Sequence, residues 1–64
     1  MAQYKRPKII GELKIIYNKA GGLSVHNGVK QGKNKIMLPC RSDEHGQEII
    51  EKLNNAKPNE VIYY

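Results

Sequence analysis

Apolar residues recur at a helical spacing in one clear stretch of this chain, Arg41 to Ala56. Gly46, Ile49, Ile50 and Leu53 fall at i, i+3, i+4 and i+7, so a glycine and three large apolar side chains share one face. Ser42 or Asp43 supplies the N-cap, Asp43 and Glu44 suit the positive end of the helix dipole, and Asn54 or Asn55 before Lys57-Pro58 marks the stop. Gly46 on the inward face predicts a close approach between the first helical turn and whatever covers it.

The rest of the chain reads as strands. Over Glu12–Asn18 the pattern puts Leu13, Ile15 and Tyr17 on a core face and Glu12, Lys14, Ile16 and Asn18 on a mixed one. Gly11 just before it marks a bulge or a close backbone approach. Asn18 to Gly22 is dense in turn residues and predicts a hairpin loop, after which Leu23 and Val25 point inward and Ser24 and His26 outward. Asn27-Gly28 carries the strongest two-residue turn signal, of the type I′ kind. Residues 29–34 are compatible with a short strand or a basic loop. Lys35–Leu38 returns to strand and Pro39 ends it. Beyond the helix, Pro58-Asn59 makes a turn and Val61–Tyr64 reads as a last strand that needs a pairing partner, in this sheet or in another subunit's. The expectation is an α+β fold in β-β-β-α-β order. A small antiparallel sheet of three to five strands carries one helix on one face. Residues 1–7 form a basic arm or a loose edge, and residues 8–64 one domain.

Charge divides the chain in two. Residues 1–40 hold eight cations, Lys5, Arg6, Lys8, Lys14, Lys19, Lys30, Lys33 and Lys35, against Glu12 alone; residues 41–64 hold Arg41, Lys52 and Lys57 against five carboxylates. The net charge of +5 is thus +7 in the front part (8 − 1) and −2 in the rest (3 − 5): the front attracts anions, while the acidic helix surface repels them. With 64 residues the core is small, and the single Cys40 excludes an internal disulfide, so self-association as a homo-oligomer, a dimer in the simplest case, is expected. The N-terminus lacks the apolar run of a signal peptide and no stretch has the length of a membrane span. A cytoplasmic protein without membrane contact is expected, and a free thiol suits that compartment.

Chemistry-bearing residues are few. Cys40, His26 and His45 match no zinc spacing, and no cofactor or metal is expected. Cys40 shortly before a helix reads as a small half-buried residue, not a nucleophile. Asp43, Glu44, Glu48 and Glu51 read as a solvated helix face, and GVKQGKNK lacks the spacing of a phosphate loop. No catalytic residue is expected. What stands above background is a cationic set, Lys30, Lys33 and Lys35 with Arg41, Lys5 and Arg6. His26 and Asn27, taken as exposed, add contacts to a phosphate or base edge, and Tyr4 adds a stacking surface. Tyr17 reads as core. The absence of Phe and Trp excludes the aromatic-rich strands of a cold-shock domain. These residues point to a non-enzymatic binder of a phosphate-bearing ligand. The ligand is nucleic acid, or a nucleotide or cyclic dinucleotide enclosed by an oligomer, as in a phage-type sequestering protein. The alternative is a protein-interaction module, an inhibitor or adaptor, acting through its basic face or an edge strand.

Overall fold

A computed structural model describes residues 2–64. The elements run β1 (Gln3–Lys5), β2 (Lys14–Tyr17), β3 (Leu23–His26), β4 (Met37–Cys40), α1 (Asp43–Asn55) and β5 (Val61–Tyr63). All pairing is antiparallel: β2-β3-β4 form one sheet and β1-β5 a two-stranded ribbon. The fold is therefore the small α+β arrangement expected, with its strands divided between two sheets. The first segment holds an edge strand of the ribbon, and the C-terminal strand finds its partner there, within the same chain.

The helix forms where its apolar face can be covered. Ser42 caps it by accepting the His45 amide at 3.2 Å, and His45 Nδ1 accepts the amide of Arg41, the residue before the cap, at 3.0 Å, so the first turn is tied to the chain that enters it. Gly46, Ile49 and Leu53 are buried. They meet the inward row of the sheet, in which Ile15, Val25 and Leu38 lie side by side across three strands. Ile36, Ala56 and Ile62 complete the core, with Tyr4 and Tyr64 packed at its margin. Burying a large aliphatic side chain stabilises by about 1.5–3 kcal/mol, so these few residues supply most of the drive to fold.

Local chemistry explains the connections. Asn18 closes the first hairpin: its Oδ1 accepts the amides of Ala20 at 3.1 Å and Gly22 at 2.8 Å. The two sheets stay apart beside Pro39, which has no amide proton to give to a further strand. Pro39 and Tyr64 line a groove of about 420 Å³ together with Arg41, His45 and Lys52. Proline does not end β4 as expected, because β4 is an edge strand and tolerates it. The strand also starts later than expected, at Met37, since the Ile36 amide is held by a side chain instead of the ladder. Tyr17 is 76% exposed and not core: it ends β2 at the rim of the sheet, beside the hairpin turn, where the helix does not cover it.

A Cβ added to Gly46 would lie 2.7 Å from Ile15 Cδ1, 2.9 Å from Ile15 Cγ1 and 3.3 Å from Cys40 Sγ. Alanine gains about 1 kcal/mol of helix propensity there, but overpacking costs about 1–3 kcal/mol. Gly46→Ala is therefore expected to destabilise by about 1 kcal/mol in urea unfolding. Ile15→Val, which removes the Cδ1 methyl, should recover part of the loss. A more stable Gly46→Ala variant would show that the helix is not seated this closely.

Candidate functional site

The link between β3 and β4 is a ten-residue loop, 27–36, not a tight hairpin turn. Gly28 has φ +85°, whereas Asn27 is absent from the positive-φ positions, so the type I′ geometry expected at Asn27-Gly28 does not form. Asn27 is also not exposed. It keeps 3% of its surface, and its amide group makes four hydrogen bonds. Nδ2 donates to Asn34 O at 2.7 Å and Ile10 O at 3.0 Å, while Oδ1 accepts from Ile36 N at 3.1 Å and Val29 N at 3.3 Å. That exhausts the bonding capacity of the side chain and leaves nothing for a ligand. Gly11 explains how the segment before β2 fits against it: with φ +82°, a Cβ there would stand 2.5 Å from Asn27 O.

Around this anchor Lys30, Lys33 and Lys35 are all exposed. Lys14 opens β2 at the same end of the sheet, opposite His26. Lys8 lies just before Ile10, which Asn27 ties to the loop. The backbone positions of five lysines thus fall at one end of the molecule. Glu12 answers only one of them, Lys14, across a solvent-exposed 4.0 Å pair that is the sole ion pair among the described residues. His26 is half-buried beside them, and its Nδ1 accepts the Gly28 amide at 2.9 Å. It borders a shallow groove of about 280 Å³ with Glu12, Lys14 and Ile16.

The other residues expected at the site stand elsewhere. Arg41 precedes the helix at the opposite end of β4, so neither it nor the helix N-terminal amides join the loop lysines. Lys5 is exposed on β1. Arg6 is structural: its Nε donates to Leu53 O at 2.9 Å and its Nη1 to Pro7 O at 3.1 Å, placing a cation on the carbonyl end of α1. Tyr4 packs against the core beside its partner Ile62, not outward as a stacking surface. Burial first, and then the nearby Tyr64, push its phenol above the usual range.

Comparison with protein-family models, curated proteins and solved structures yields no match. Function has to be read from the chain itself. Among the described residues no cluster of three or more His, Cys, Asp or Glu could hold a metal, and no helix is long and apolar enough to cross a membrane. Burial, reinforced by Asp43, pushes the Cys40 thiol above its usual range.

A third groove, of about 520 Å³, runs between α1 and β5. Its lining carries Glu48, Glu51 and Glu60 beside Lys52, together with Val61 and Tyr63. Its sign is opposite to that of the loop end. None of the three grooves is lined by Lys30, Lys33 or Lys35.

Two measurements check this description. Asn27→Asp cannot donate to Ile10 O or Asn34 O and sets a carboxylate against both, so a loss of about 2–4 kcal/mol in urea unfolding is expected; an unchanged midpoint would contradict the buried network. For Cys40, a raised pKa means less thiolate at a given pH, so alkylation by iodoacetamide at mildly basic pH should be slower in the folded chain than in urea. Faster alkylation in the folded chain would contradict it.

Proposed function

We propose that this chain is a small non-enzymatic binding protein for a phosphate-bearing ligand, met by the end of the molecule built on loop 27–36. The observation that carries the reading is the gathering of Lys8, Lys14, Lys30, Lys33 and Lys35 at that end, with Glu12 the one carboxylate paired among them. Ammonium groups on long stems are point charges that neutralise phosphates without reading bases. The loop lysines line none of the three grooves described above, and this favours a polymer met along its backbone over a small nucleotide held in one of them. Nucleic acid is therefore the ligand of choice in this reading. Self-association as a dimer would double the positive surface and lengthen the contact. A cytoplasmic location goes with it, since Cys40 is a free thiol.

The rival reading, a protein-interaction module working through an edge strand, is favoured by a different observation, an edge strand β5 that carries neither charge nor proline, and concerns a different part of the surface.

The test is a titration of a single-stranded oligonucleotide at several salt concentrations. Replacing Lys30, Lys33 and Lys35 together by glutamine should weaken binding about tenfold or more and make the salt dependence shallower by about 2 in log–log slope, with the circular dichroism unchanged. Equal affinity and equal slope in the triple variant would remove the loop as the site.

A further inference from the structure

Among the described residues four strands, β1, β5, β2 and β4, have one unpaired edge, and three of them carry a blocking residue. β1 bears Lys5, β2 bears Lys14 and β4 bears Pro39, each a device that discourages a further strand. β5, Val-Ile-Tyr over Val61–Tyr63, bears neither charge nor proline. Its pairing parity shows which groups are left over. Ala2 and Tyr64 exchange both backbone bonds, at 3.1 and 3.0 Å, and Arg6 N donates to Glu60 O at 2.8 Å, so residues 60, 62 and 64 face β1. The backbone groups of Val61 and Tyr63 therefore face away from β1. They face α1, because Lys52 Nζ reaches Tyr63 O at 2.8 Å. That bond uses one lone pair of the carbonyl and leaves the second. The Val61 amide and carbonyl and the Tyr63 amide have no hydrogen-bond partner among the described residues.

We infer that this edge and the groove beside it receive an extended, lysine- or arginine-rich segment of another protein as an added strand. Backbone pairing supplies the attraction at Val61 and Tyr63, whose side chains are 44% and 50% exposed and offer apolar contact. Charge selects the occupant. Glu48, Glu51 and Glu60 outnumber Lys52 in the groove lining, so cationic side chains of the incoming strand are drawn in and anionic ones repelled. The site is separate from the lysine loop and does not depend on it. A second copy of this chain is a poorer occupant, since symmetric pairing would bring two sets of these carboxylates together.

The experiment uses the full chain and three fluorescent peptides: alternating Lys-Val, alternating Glu-Val, and Lys-Val methylated on the backbone nitrogens of one edge. Anisotropy titrations at physiological ionic strength should show saturable binding of the first and at least about tenfold weaker binding of the other two. Glu48→Gln, Glu51→Gln and Glu60→Gln combined, all at exposed positions, should weaken Lys-Val binding about tenfold with an unchanged fold by circular dichroism. Equal binding of all three peptides, no binding of any, or unchanged affinity in the carboxylate variant would overturn the inference. So would a concentration-dependent dimer in sedimentation that Tyr63→Lys dissolves, because the edge would then belong to a second copy.

Discussion

One buried amide group governs the lysine-rich end of this protein. Asn27 leaves β3 and turns its side chain into the base of a ten-residue loop, where it stands in for backbone pairing that the loop itself lacks. Its two donors bind carbonyls from two separate segments, and its acceptor joins the Val29 amide, two residues on, to the Ile36 amide at the far side of the loop. Buried polar groups are costly unless satisfied, and here the buried Asn27 side chain and the buried Ile36 amide satisfy each other, with three part-buried bonds beside them. Ile36 depends on the same network. It is fully buried, and Asn27 delivers its amide a partner just before β4 begins.

The electrostatics follow from that anchor. A lysine-rich loop would repel itself and splay if untethered. Tied at Ile10, Val29, Asn34 and Ile36, it stays at the end of the sheet where Lys14 and Lys8 already lie. Away from it the charge reverses, along the exposed carboxylates of α1 and Glu60. Arg6 plays a matching part at the other seam, joining the ribbon to the last turn of the helix through Leu53 O. The molecule thus presents a cationic end built on loops and an acidic groove built on regular elements, two surfaces suited to partners of opposite sign.

Local signals carried most of the fold into the sequence. The helix, its Ser42 cap, the Asn18–Gly22 hairpin and the close approaches at Gly11 and Gly46 all rest on neighbouring residues or on period, and each is visible in the chain. Long-range side-chain bonds are not. Asn27-Gly28 has the composition of a tight turn, and nothing local reveals that Asn27 reaches Ile10 and Ile36 instead. Arg6 has the same character: beside Lys5 it reads as part of a cationic arm, while its bonding partner is 47 positions away. Tyr17 obeys the alternation of its strand yet lies beyond the helix that would cover it. For the site, composition revealed the lysines but not which of them share an end. The last strand was legible as one needing a partner, whereas the open edge it keeps depends on pairing parity with β1.

Amide hydrogen exchange at Val29 and Ile36 tests the anchoring role of Asn27 most directly, because both amides are bonded to its side chain and neither belongs to a strand. The network predicts that Ile36 exchanges as slowly as the amides of β3 and that Val29 is protected well above its exposed neighbours in the loop. Exchange of both at the rate of an unstructured peptide, while β3 stays protected, would contradict it.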